Sequence, residues 1–162
     1  MKQESKCSVE LFEEYPDVSF YTVRFDEDPL SEYEKFLTTF SSVEERKEDL
    51  YIIVAWMDRI AKNGALERYF RNESKMKDGV GAVPIETAEL RLYCLRITDK
   101  ILIIGNGGYK PKIQKNYNTI PQLNDSVELL AGLDHILKKR ISKGEITIKC
   151  KELVGNLFSF EI

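Results

Sequence analysis

Histidine is close to absent from this chain: His135 stands alone, with no second imidazole to share a metal or complete a relay. Cysteine is scarce as well. Cys7, Cys94 and Cys150 lie far apart, in odd number and with no CxxC pair, which argues against both a secreted disulfide framework and a zinc site. They are expected as three free thiols, buried or half-buried as small hydrophobes, and no metal or cofactor is expected. No apolar run approaches the roughly 20 residues needed to cross a bilayer. The opening MKQESKCSVELFEEYP has no continuous apolar stretch of the signal-peptide kind. The expectation is a cytoplasmic protein with no membrane partner. Internal repeats and low-complexity tracts are missing too.

What is present is an ordinary globular balance, 43% hydrophobic, 31% charged and 10% aromatic over 162 residues. That suits one domain with its own core, so 1–162 is read as a single domain. The net charge of −3 hides an asymmetry. Residues 1–62 carry eight Lys/Arg against fifteen Asp/Glu, 63–118 carry ten against six, and 119–162 are neutral. An acidic whole argues against a DNA-coating protein, while the basic middle permits a local anion-binding face.

After an acidic lead-in ending at Pro16, Phe20 to Phe25 reads as a strand, with Tyr21, Val23 and Phe25 at period 2. Asp28-Pro29 suggests a helix start, and Leu30, Tyr33, Phe36, Leu37 and Phe40 make one helical stripe. Ser42-Val43-Glu44-Glu45 fits a capping box for a second helix. Its stripe is Leu50, Ile53, Val54, Met57, Ile60 and Ala61, and Asn63-Gly64 ends it. Val80 to Ile85, Leu90 to Ile97 and Ile101 to Ile104 then read as three strands, the last two a hairpin about Thr98-Asp99-Lys100. A third helix is expected from Asp125 or Ser126, carrying Val127, Leu130, Leu133, Ile136, Leu137 and Ile141 inward. A terminal hairpin is expected from Glu145 to Cys150 and Asn156 to Ile162. The fold class is therefore α+β, a β-α-α-β-β-β core followed by a helix and hairpin, with helices on one face of a mostly antiparallel sheet.

Three groups of residues invite a functional reading. Gly105-Asn106-Gly107-Gly108 follows a buried strand and precedes Lys110, Lys112 and Lys115; such glycines let amides approach a phosphate, although the P-loop spacing is absent. Alternation on the strand Leu90 to Ile97 puts Arg91, Tyr93 and Leu95 on one face and Leu92, Cys94 and Arg96 on the other. Arg68, Arg71, Lys75 and Lys77 occupy the link between helix and sheet, where a solvated face is the plain alternative. His135 reads as a helix-surface residue. Adjacent pairs such as Glu44-Glu45 cannot oppose each other from one helix as a carboxylate dyad.

On these residues the segment 18–118 resembles the RelE/ParE superfamily, most closely its HigB-like, phage-derived branch. The resembling stretches are Phe20 to Phe25 as opening strand, Ile60-Ala61-Lys62-Asn63-Gly64 closing a helical hairpin, Glu89-Leu90-Arg91-Leu92-Tyr93 as an ELRF-type strand, and Ile103 to Lys112 as the terminal segment. Residues 119–162 form an extension beyond that core. The resemblance implies the toxin of a type II toxin–antitoxin system, a metal-independent endoribonuclease acting on mRNA at the ribosome and held by an antitoxin protein. By position it implies Arg91, Lys110, Lys112 and Lys77 as catalytic. It implies Lys75, Arg96, Tyr109, Lys115 and Arg71 as RNA-binding. Cations there would neutralise charge developing on the scissile phosphate. A second reading keeps the fold without the chemistry: a catalytically silent module whose sheet or acidic helical hairpin holds a protein partner, the acidic half favouring one of basic character.

Overall fold

Alternating apolar residues build a sheet whose central strands are covered on both sides. The computed structural model describes residues 5–72, 79–85, 89–113 and 116–162. In chain order the elements are β1 (Lys6–Glu14), β2 (Ser19–Phe25), α1 (Glu32–Ser41), α2 (Lys47–Asn63), β3 (Val80–Val83), β4 (Leu90–Thr98), β5 (Ile101–Tyr109), α3 (Pro121–Ser142), β6 (Ile146–Lys149), β7 (Glu152–Gly155) and β8 (Phe160–Glu161). Six strands form one sheet in the order β3-β4-β5-β2-β1-β8, and β6 pairs with β7 apart from it. Within the six-stranded sheet β2 and β5 run parallel, with Ser19 opposite Ile101 and Thr22 opposite Ile104. The other pairs are antiparallel. The protein is thus α+β with a mostly antiparallel sheet.

One face of the sheet, carrying Phe20, Leu92, Cys94, Leu102 and Ile104, packs on Tyr33, Phe36, Ile53, Met57 and Ile60 of α1 and α2. The opposite face, with Tyr21, Val23, Tyr93, Leu95, Ile101 and Ile103, packs on Leu123, Val127, Leu130, Leu133 and Leu137 of α3. Helices therefore cover both faces, which corrects the expectation of a one-sided cover. The reason lies in β5, where Ile101-Leu102-Ile103-Ile104 is apolar on both sides and needs two covers.

Several boundaries move for local reasons. The acidic lead-in is β1, which buries only Cys7 and Val9 and bulges between Leu11 and Glu13; that pattern is too short to read as alternation. Helix α1 is capped by Ser31 rather than Asp28. The Ser42 capping box does not form: a 3-10 turn, Glu44–Arg46, leads into α2, and Val54 is 46% exposed instead of core. Helix α3 starts at Pro121, a residue preorganised for the first helical turn. The terminal hairpin closes at Cys150-Lys151, Cys150 having φ 53°, so Cys150 is exposed and not half-buried. Residues 160–161 pair with β1 instead. Arg140, in the last turn of α3, donates to the carbonyls of Asn156, Phe158 and Ser159 and stacks 4.0 Å over Phe160. Tyr21 ties the small hairpin to the sheet by accepting from the Leu153 amide at 3.0 Å. Burial pushes the Cys7 thiol up to about 12, helped by the nearby Asp26 and Glu32 charges, and burial raises that of Cys94 as well.

The start of α1 carries a pH-dependent share of stability. Glu34 accepts from the Ser31 amide at 3.1 Å while its own amide donates to the Ser31 hydroxyl at 3.3 Å, and Arg24 lies 3.3 Å away. The Ser31 backbone bond, then its hydroxyl, then the Arg24 charge hold the Glu34 carboxyl below its ordinary value. A depressed folded value means the contribution is whole above the unfolded value and fades as pH falls through the folded one. Glu34→Ala is expected to cost about 1 kcal/mol at neutral pH, and the gap to wild type should narrow on acidification in urea denaturation. A gap constant with pH would contradict this.

Candidate functional site

Strand β4 starts where α2 begins, because the Asp49 carboxylate accepts from the Glu89 and Leu90 amides at 3.0 and 3.1 Å. That clamp places Arg46, at the end of the 3-10 turn, beside the end of β5. Its guanidinium lies 3.7 Å from the ring centroid of Tyr109 and 3.9 Å from the Glu89 carboxylate. Tyr109 is 38% exposed. Lys110 follows, its amide bonded to the Glu89 carbonyl, and Lys112 is exposed. The Arg46 guanidinium of the helical hairpin thus stacks on an aromatic ring at the strand end, and Lys110 and Lys112 follow that ring in the chain. The chain order gives no sign of Arg46, since reading a helix from Ser42 buries it within a regular α-turn.

Arg91 departs from its expected role. It stands opposite Gly108, on the α3 face with Tyr93 and Leu95, and is 2% exposed. The face that was to be wet is closed by the start of α3, whose Gln122 and Leu123 lie over Gly108, and by Tyr117, whose ring is 6.1 Å from that of Tyr93. The amphipathic stripe of α3 needs an apolar bed, and Tyr93, Leu95, Ile101 and Ile103 provide it. A phosphate cannot reach Arg91 in this arrangement.

Arg96 points to the opposite face and sits at the other end of β4. It donates to the Ala65 carbonyl at 2.7 Å and pairs with Asp99, fastening the segment after α2 to the β4–β5 turn. It is a structural clasp, separate from the basic patch. Arg71 exchanges backbone hydrogen bonds with Ala82 of β3, and its Nη1 is enclosed without an acceptor among the described residues. Lys75, Lys77 and Lys115 lie outside the described residues. His135 is exposed on α3.

No family model, curated protein or solved structure matches the chain. The tract Gly105 to Gly108, considered above as a phosphate-approaching loop, is buried inside β5. Its bulge opposes Gly105 and Asn106 to Tyr93, since Leu92 pairs with Gly107 and Cys94 with Ile104. The tract belongs to the sheet, and its Gly107 amide is taken by the Asn106 side-chain oxygen. The half-buried Lys110 and the exposed Lys112, with the Arg46–Tyr109 stack, remain the place where a charged chain can be held: ammonium groups attract phosphates, and a ring backed by guanidinium is a platform for a nucleobase.

Proposed function

We propose that the protein is an RNA-directed member of a toxin–antitoxin pair, of RelE/HigB-like kind, that grips the RNA backbone at the end of β5. Lys110 and Lys112 neutralise phosphate charge, Arg46 adds a third cation, and Tyr109 offers its ring to a base. The observation that carries this reading is the Arg46–Tyr109 stack at 3.7 Å next to two strand-end lysines. It joins separated stretches of chain into one basic, aromatic patch. In this reading Arg91 supports the patch from behind, and an antitoxin protein is the natural partner.

The burial of Arg91 favours a second reading, a silent module of the same fold that holds a protein partner. Bacterial expression separates the two. Under the RNA reading the wild type slows growth and fragments mRNA, and Lys110→Ala/Lys112→Ala reduces both at least tenfold while keeping the wild-type circular dichroism. Tyr109→Ala should fall between them. Normal growth with intact mRNA for wild type and variant alike would overturn the RNA reading and leave the module.

A further inference from the structure

The parallel pair β2 and β5 creates a crevice to which no role was assigned above. The helix after β2 packs on one face of the sheet and the helix after β5 on the other. Adjacent parallel strands whose connections leave to opposite sides form a topological switch point, and ligands collect outside the carboxyl ends of such strands. A cavity of about 340 Å³ lies there, walled by Phe25, Leu129, Glu32, Lys35, Asn106 and Ser126. An open cleft of about 640 Å³ adjoins it through the shared Phe25 and Lys35.

Buried polar side chains gather on the walls, where the Ser126 hydroxyl donates to the Gln122 carbonyl of its own helix at 2.8 Å. Among the described residues, Ser19, Thr22, Ser31, Glu32, Arg91, Asn106 and Ser126 are the buried polar or charged ones. Glu32, Asn106 and Ser126, exposed by 8%, 8% and 4%, all line this one cavity. Burying such groups is costly unless they find partners. The Asn106 oxygen accepts from the Gly107 amide at 2.7 Å, while its amide nitrogen donates to no group among the described residues. Glu32 Oε2 forms a 2.7 Å ion pair with Lys35 Nζ. Lys35 is also paired with Asp28. Burial works against its charge, but the bonds to Asp28 and Glu32 outweigh that and hold its pKa above the ordinary lysine value.

The charge balance selects the ligand. Among the described residues, Asp26, Glu27, Asp28, Glu32 and Asp125 border the cavity and its cleft, against Lys6 and Lys35, the latter paired with Asp28 and Glu32. Among the described residues no three acidic, histidine or cysteine side chains are placed to hold a metal ion, so the negative charge is spread along the walls. We infer that this cavity binds a small organic cation whose guanidinium or ammonium group meets the carboxylates and whose far end offers an oxygen acceptor to the Asn106 amide. A basic amino acid has that pattern.

Calorimetric titration of the full chain with L-arginine and with L-citrulline, its neutral near-isostere, tests the assignment. Arginine should give a saturable single-site isotherm with Kd below about 1 mM, and citrulline should bind at least tenfold more weakly. Glu32→Gln and Asn106→Asp should each weaken arginine at least tenfold with unchanged circular dichroism. The second keeps an acceptor for the Gly107 amide while removing the donor, so it decides the matter if the first fails to fold. The site is independent of the RNA reading, and Lys110→Ala/Lys112→Ala should bind arginine as wild type does. Absence of saturable heat with arginine, equal affinity for citrulline, or wild-type affinity in the folded variants would overturn the inference.

Discussion

Arg91→Ala should lower the melting temperature by roughly 6–12 °C in calorimetry at neutral pH, whatever it does to activity. The side chain is 2% exposed beneath the start of α3. Its Nη1 donates to the Leu90 carbonyl at 3.3 Å. Removing a buried, bonded cation strands the groups that faced it, at a cost of about 3 kcal/mol or more. Arg91→Met restores most of the volume without the charge and should recover much of the loss, because apolar replacement of a buried ion is far milder than truncation. An alanine variant that melts with the wild type would mean that α3 does not close this face in solution. Lost activity in the alanine variant alone would say nothing about RNA contact; the strand-end lysines Lys110 and Lys112 are where that question is decided.

The glycine tract of β5 should show the steepest gradient in the molecule. A Cβ at Gly107 would lie 1.8 Å from the Arg91 carbonyl oxygen, main chain of the neighbouring strand. Nothing there can rotate aside, so β4 and β5 must part. Gly107→Ala is expected to cost more than about 4 kcal/mol, a large part of the total stability of a domain, and to yield little soluble protein. At Gly108 the nearest atoms belong to the Gln122 and Leu123 side chains, at 3.2 and 3.3 Å. These have room to shift, and Gly108→Ala should cost about 1 kcal/mol. Gly105 faces Leu130 side-chain atoms from 3.0 Å and should fall between. Soluble yield and melting temperature, ranked across the three variants, check the order. A well-folded Gly107→Ala protein would contradict the β4–β5 register.

Those same glycines show where reading the chain alone succeeds and where it stops. The hairpin of β4 and β5 is legible because Leu90 to Ile97 alternates and Ile101 to Ile104 is continuously apolar. The tract that follows looks like a loop, since glycine usually punctuates. In this strand it answers to a bulge and to close approach of other chain segments. Arg91 was placed on the correct face by alternation, with Tyr93 and Leu95. Its cover was not legible, because the docking of α3 depends on contacts far apart in sequence. Arg46 escaped notice for a similar reason: its partner Tyr109 is brought to it by the Asp49 clamp, which no local pattern announces. The switch-point cavity is a property of topology. Its residues become neighbours only once β2 and β5 are known to lie side by side.

That side-by-side seam also shapes how the chain reaches its native state. The β1–β2 ribbon and the β3-β4-β5 meander can each assemble from near neighbours, but joining them closes a loop of about 80 residues. The joint is therefore expected to form late, after α1 and α2 have collapsed onto one of the pieces. Until then β2 and β5 both present bare backbone along an edge, open to strands of other molecules. Refolding yield should accordingly fall as protein concentration rises, a liability that vanishes once the two half-sheets knit.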